Sequence, residues 1–106
     1  MSGIVSVYAT FADAEEAARI GRLVVEERLA ACVNILGECR SIYRWQGKVE
    51  EAVEVAAMFK TSSKGAALLI QRIGELHSYD LPAAVAWPIA ETSDGYGAWV
   101  LENSPR

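Results

Sequence analysis

The stretch "ACVNILGECRSIYRWQGKVEEAVEVAAMFKT", residues 31–61, decides the fold of this chain. It is rich in β-branched and aromatic residues, which favour strands, and Gln46-Gly47 near its centre is typical of a tight turn. The stretch therefore predicts two strands joined as a hairpin. In the second arm, residues 52–61, both alternating sets of side chains are apolar near the end. That end is expected to be covered on both faces of the sheet.

The hairpin is too long to lie flat within a domain of this size. From Ala31 to Trp45 an extended chain measures roughly 50 Å. A compact domain of this length has a radius of gyration of only about 13 Å. The arm must bend or project, and Gly37 is a plausible bulge. A projecting hairpin would expose Ile42, Tyr43 and Trp45, a liability that pairing with a neighbouring subunit removes. The alternative is a hairpin that curls over its own sheet.

The other elements follow from periodicity and capping signals on either side of the hairpin. They are a strand at 4–10, a helix capped by Asp13, a helix at 64–78 with a cap among residues 61–63, a strand at 83–89 and a short helix within 93–104. The order is βαββαβ with a tail, which is the ferredoxin-like arrangement. The predicted fold class is therefore α+β: one antiparallel sheet with two helices on one face.

Composition limits the protein to one domain, residues 1–106, and narrows its partners. Hydrophobic residues make up 52% of the chain, and the net charge of -4 with a pI of about 4.9 opposes binding to phosphate backbones. We expect no nucleic-acid partner. The N-terminus lacks the pattern of a signal peptide, and no apolar run approaches the length of a membrane span. A cytoplasmic protein without a membrane partner is expected.

Five segments together resemble the CutA family of divalent-cation tolerance proteins. They are "ERLAACVNI" (27–35), "SIYRWQGKVEE" (41–51), "EVAAMFKT" (54–61), "LHSYDLPAAVAWPI" (76–89) and "YGAWV" (96–100). The resemblance implies a ferredoxin-like subunit assembled as a homotrimer, with an architecture similar to that of PII signalling proteins. It also implies a link to tolerance of copper and other divalent cations.

Two positions depart from the pattern of that family. The residue after the only histidine, often proline in the family, is Ser78 here. The residue after Pro82, usually a glutamate, is Ala83. If that carboxylate helps to bind a cation in the family, this chain lacks it, although Asp80 offers an acidic group nearby.

The candidate metal ligands are His77, Cys32, Cys39 and Asp80, and the candidate metals are copper and zinc, which bind thiolate and imidazole groups. Two of them, His77 and Cys32, have a structural alternative, whereas Cys39 is expected to be more exposed and so more able to bind. His77 can close its helix and hydrogen-bond a carbonyl or tyrosine, and Cys32 can fill the core. An unbroken strand would point the two cysteines to opposite faces, unless a bulge at Gly37 reverses one of them.

A second set of residues is expected at a ligand cleft or a subunit interface: Tyr43, Arg44, Trp45, Glu51, Lys60 and Tyr79. This set supports an alternative function, a PII-like trimeric sensor that binds a small anion between subunits and no metal. Surface charge and interface packing are the structural alternatives. The chain has none of the hydrolase, zinc-protease or P-loop motifs, so we expect no catalytic residues and no enzymatic activity.

Overall fold

A computed structural model describes residues 2–106 and has the predicted element order. The elements are β1 (Ile4–Phe11), α1 (Ala14–Glu26), β2 (Cys32–Trp45), β3 (Lys48–Ser62), α2 (Ala66–Leu76), β4 (Ala84–Pro88) and α3 (Asp94–Glu102). The strands form one antiparallel sheet in the order β2-β3-β1-β4. The α+β prediction is confirmed. Within residues 2–106, no helix is long and apolar enough to cross a membrane.

The core lies between one face of the sheet and helices α1 and α2. Side chains alternate along β1, so Val7 and Phe11 point to the same face and meet Ile20 of α1 and Ile73 of α2. All four are fully buried. Helix α1 begins as predicted, because the Asp13 carboxylate accepts a hydrogen bond from the backbone amide of residue 16 at 2.8 Å.

The predicted cap of α2 is wrong. The N-cap is Gly65, and no side chain caps the helix. Thr61 and Ser62 belong to β3 instead, and the Thr61 hydroxyl donates to the carbonyl of Leu29 at 2.7 Å. Two of the three residues that were predicted to cap the helix therefore belong to the sheet instead.

Helix α3 packs against the other face of the sheet, which we call the open face. Val100 of α3 contacts Ile4 and Ala31, and this small cluster covers only one end of that face. Elsewhere the open face remains accessible: Val85 and Trp87 of the edge strand β4 are 52% and 43% exposed.

The hairpin projects beyond the rest of the sheet. Strand β1 pairs with β3 only from Val55 to Ser62, so residues 48–54 of β3 pair with β2 alone. The turn at Gln46 and Gly47 has φ angles of 50° and 81°, as a type I′ hairpin requires. The molecule is 44 Å long and only 25 Å by 22 Å across. The expected projection is confirmed, and the hairpin also contacts the segment after α2, where the Tyr79 hydroxyl donates to Glu54.

The bulge in β2 decides where the two cysteines point. The register shifts between Ile35 and Gly37, and Gly37 has a φ of 105°. The shift puts both thiols on the open face, since Cys32 lies opposite Lys60 and Cys39 lies opposite Glu54. Those partners are six residues apart on β3, or about 20 Å. The cysteines share a face but cannot share a metal ion within one chain.

We predict that Gly37→Ala lowers the free energy of unfolding by about 1–3 kcal/mol, because a side chain is strained at this positive φ. Gly74→Ala is the control. It lies inside α2, a Cβ there meets nothing within 4 Å, and the change should stabilise the protein by about 0.5–1 kcal/mol. Urea unfolding at one fixed protein concentration measures both. Equal stability of Gly37→Ala and wild type would contradict the strained bulge.

Candidate functional site

A cavity of about 620 Å³ lies between the projecting hairpin and the segment that joins α2 to β4. We call it the hairpin cavity. Its lining comes from β1, the distal part of the hairpin and the α2–β4 segment: Tyr8, Thr10, Ser41, Tyr43, Arg44, Trp45, Glu50, Glu54, Tyr79, Asp80, Leu81 and Ala83. Its volume is in the range of small-molecule sites, about 300–1,000 Å³.

The structure brings five of the predicted site residues together at this cavity. They are Tyr43, Arg44, Trp45, Tyr79 and Asp80. The hairpin supplies the first three, and the α2–β4 segment supplies the other two. Their convergence depends on how the α2–β4 segment crosses the end of β1.

Two predicted cleft residues lie elsewhere. Glu51 is on the hairpin face opposite to its neighbour Glu50, where it forms an ion pair with Arg40 at 2.7 Å. Lys60 lies opposite Cys32, far along β3 from Glu54. Neither residue contributes to the lining of the hairpin cavity.

His77 fixes the start of the α2–β4 segment. Its Nδ1 accepts a hydrogen bond from the backbone amide of Tyr79 at 3.1 Å, and its Nε2 lies 2.8 Å from the carbonyl oxygen of Thr10. The ring stacks on Phe11 with the centroids 5.0 Å apart. Because a carbonyl can only accept, Nε2 carries the proton and Nδ1 presents its lone pair.

These contacts match the helix-closing alternative for His77. The residue is the C-cap of α2 and is 9% exposed. A metal would need a free lone pair on the imidazole, yet one nitrogen is protonated and the other already accepts a hydrogen bond. The geometry gives His77 a positioning role and offers no free ligand atom.

Glu16 of α1 is a second anchor for the same segment. Its carboxylate accepts from the backbone amides of Ala12 at 3.0 Å and Ser78 at 2.8 Å. Burial alone would raise the pKa of Glu16, but the hydrogen bonds from Ala12 and Ser78 outweigh it and lower the pKa. A proline at position 78 would have no amide proton to donate, so the departure at Ser78 adds this contact.

Tyr79 links the segment to the hairpin. Its hydroxyl donates to Oε2 of Glu54 at 2.9 Å. Burial first, then the Glu54 carboxylate, raises the pKa of Tyr79 to about 12, so the phenol keeps its proton at neutral pH. The pKa of Tyr8, also in the lining, is raised by burial and by nearby Cys39 and Glu54.

The cavity is acidic. Glu50, Glu54 and Asp80 line it together with a single basic residue, Arg44. In the part of the chain that the structure describes, none of these four groups takes part in an ion pair. No group of three or more His, Cys, Asp or Glu side chains in residues 2–106 is placed to hold a metal ion. The lining favours a cation without providing a complete metal site.

The two thiols differ in their surroundings. Both cysteines are free and partly buried. Cys39 lies across from Glu54, next to the cavity, with its Sγ 3.9 Å from the Ser41 hydroxyl. The Cys32 Sγ lies 3.4 Å from the Tyr96 hydroxyl, beside α3. Cys39 belongs to the site region, whereas Cys32 does not.

Sequence reasoning missed Tyr8 as a lining residue and did not select Glu50 or Glu54. Strand alternation gives the face of each residue but not which strands are neighbours. Only the pairing of β1 with β3 brings Tyr8 beside the hairpin. Ala83, the second position where the sequence departs from the pattern that it resembles, also lines the cavity.

Comparisons with known proteins agree on one family. The family described as "CutA1 divalent ion tolerance protein" matches residues 5–103. The divalent-cation tolerance protein CutA of Thermus thermophilus is 48% identical over 91 residues, which is 85% of this chain and 88% of that protein.

Solved structures give the same result. A divalent cation tolerance protein (Cut A1) from Thermus thermophilus matches with a TM-score of 0.92 at 43% identity, covering 96% of this chain and 99% of that one. A protein from Archaeoglobus fulgidus, described as the periplasmic divalent cation tolerance protein CutA, matches with a TM-score of 0.91 at 36% identity. The match covers 94% of this chain and 97% of that one.

We predict that Glu16→Gln lowers the free energy of unfolding at pH 7 by about 1.5–3 kcal/mol, because a charged acceptor of two amides is lost. The pKa of Glu16 is lowered by folding, so this stability is present above the ordinary glutamate pKa and is lost as pH falls through the folded value. The gap between the variant and wild type should therefore narrow as pH falls below the ordinary glutamate pKa and close below the lowered pKa of folded Glu16.

Glu15→Gln is the control for this experiment, since Glu15 is an exposed acid in the same helical turn. It should change stability little at any pH. Thermal unfolding across the pH range measures all three proteins. A Glu16→Gln deficit that persists unchanged into acid would show that its carboxylate charge is not what anchors the segment.

Proposed function

Because this chain belongs to the CutA1 divalent ion tolerance protein family, we propose that it acts in the tolerance of divalent cations as a homotrimer that binds the cation weakly. One observation carries the metal-binding part. Cys39 lies directly across from Glu54, at the edge of a cavity that also contains Glu50 and Asp80. A thiolate beside carboxylates suits copper and zinc.

The proposed ligands in one subunit are Cys39 and Glu54, with Asp80 in the lining of the same cavity. Two donors from one chain are fewer than the four of a tetrahedral zinc site. Water or a neighbouring subunit would supply the rest, which is why we propose weak binding. His77 holds the α2–β4 segment in place, and Cys32 has no part in this site.

Assembly is supported by exposed apolar surface on the hairpin. Ile42, Val49 and Val53 are 67%, 64% and 58% exposed, and strand alternation puts them on one face. Both edge strands, β2 and β4, also have an unpaired side within the chain. Exposed edges and apolar strands favour association, so we propose that neighbouring subunits cover them.

The alternative, a sensor of a small anion, has less support from the lining. Arg44 is the only basic residue of the hairpin cavity, against three carboxylates. Lys60, the other cation expected there, lies elsewhere on β3. The cytoplasmic location and the absence of enzymatic activity stay predictions.

Calorimetric titration with copper and zinc tests the metal site. We predict that Cys39→Ser and Glu54→Gln each weaken binding by roughly tenfold or more, which corresponds to the loss of one ligand. Cys32→Ser is the matched control and should bind as wild type does. His77→Ala should lower stability yet still bind metal at a temperature where it is folded. Equal affinity in the Cys39 and Cys32 variants would remove the proposed site.

Light scattering tests the assembly, with a trimer as the expected mass. We predict that Trp45→Ala weakens assembly more than Trp99→Ala. The two side chains are equally exposed, at 41% and 43%, but Trp99 already stacks on Tyr96 within the chain. Trp45 is therefore the better candidate for an aromatic anchor at the subunit interface. A stable monomer would overturn the trimer, and equal effects of the two changes would place the anchor elsewhere.

A further inference from the structure

The three acids of the hairpin cavity form no ion pair within residues 2–106. Glu54 is only 9% exposed, and its Oε2 accepts one hydrogen bond, from Tyr79. Among residues 2–106 no donor reaches its Oε1 and no lysine or arginine pairs with it, and because no fully buried side-chain oxygen there lacks a partner, Oε1 is open to the cavity. A largely buried carboxylate is costly unless it is paired or well hydrogen-bonded. Glu50 and Asp80 add two more unpaired carboxylates to the same lining.

The rest of the lining is unusually aromatic for an acidic cavity. Tyr8, Tyr43, Trp45 and Tyr79 all contribute to it, which is four of the nine phenylalanine, tryptophan and tyrosine residues of the chain. Aromatic faces attract cations, and they do so best when the cation is large and weakly hydrated. Leu81 adds apolar surface to the same cavity.

We propose that the hairpin cavity binds an organic ammonium ion, a monovalent cation attached to an apolar or aromatic body. The carboxylates supply the counter-charge, and the rings of Tyr8, Tyr43 and Tyr79 pack against the body of the ligand. This site shares Glu54 and Asp80 with the proposed metal site but does not depend on Cys39.

The lining favours an organic ammonium ion over a small divalent cation and over an anion. A small divalent cation beside Cys39 and Glu54 would use only that edge of the cavity, because no group of three ligand side chains in residues 2–106 converges on one point. An anion would meet three carboxylates and one guanidinium. An organic ammonium ion can use dispersed carboxylates and broad aromatic walls at once, and a volume of about 620 Å³ accommodates one.

Titration with benzylammonium, followed by calorimetry on the assembled protein, tests the proposal. Benzyl alcohol is the uncharged probe of the same size. We expect benzylammonium to bind with millimolar affinity or better and benzyl alcohol to bind at least about tenfold more weakly, as the loss of a charge-assisted contact implies. Equal binding of the two probes, or no binding of benzylammonium, would overturn the proposal.

Variants locate the site. Glu50→Gln and Asp80→Asn should each weaken benzylammonium binding by roughly threefold to tenfold, whereas Glu51→Gln should leave it unchanged. Glu51 is the matched control because it is adjacent in sequence but lies on the opposite face of the hairpin. Equal effects of the Glu50 and Glu51 changes would place the ligand outside the cavity.

The aromatic contribution has its own pair of variants. Tyr43→Phe keeps the ring and should retain binding, whereas Tyr43→Leu should weaken it by several-fold. Light scattering on each variant confirms that assembly is intact. Equal binding by the two Tyr43 variants would remove the aromatic part of the proposal.

Titration with zinc separates this inference from the proposed function. Cys39→Ser should lose zinc binding and keep benzylammonium binding. If zinc binds to the wild type and benzylammonium does not, this inference fails and the proposed function stands. If benzylammonium binds and zinc does not, the metal-binding role fails and this inference stands.

Discussion

The mismatch in length between the hairpin and the strand beside it is the constraint on which the rest of the structure depends. Strand β1 has 8 residues, whereas β2 and β3 have 14 and 15. Beyond the end of β1 the hairpin has no neighbour within its own sheet. The space beside this part of the hairpin is the hairpin cavity. The exposed apolar face of the hairpin is the surface that we propose neighbouring subunits cover.

A short polar network closes the end of β1 and connects it to the hairpin. His77 joins the end of α2 to the Thr10 carbonyl, Glu16 holds the amide of Ser78, and Tyr79 reaches Glu54. Each buried polar group in this network has a partner, so the network can fix one conformation of the α2–β4 segment. The only histidine of the chain thereby shapes the site without facing into it.

The chemistry of the cavity follows from which residues the hairpin directs toward it. Alternation along β3 sends Glu50 and Glu54 to one face and Glu51 to the other, where Arg40 neutralises it. Within residues 2–106, the acids that face the cavity form no ion pair with a basic side chain. This asymmetry underlies both proposals: a cation beside Cys39, and an organic ammonium ion among the aromatic rings.

The sequence by itself determined the element order, the hairpin and its turn, because these depend on local periodicity and on the backbone preferences of residues such as Gly47. It also located the bulge at Gly37 and the capping role of Asp13. It could not determine the start of α2, since Thr61 and Ser62 belong to strand β3, and the extent of β3 depends on pairing with β1. Nor could it show that Tyr8, Glu54 and Tyr79 meet, or that Glu51 and Lys60 do not join them. Those facts depend on which strands are neighbours and on where the α2–β4 segment crosses the sheet, and only the tertiary structure decides contacts between residues so far apart in the chain.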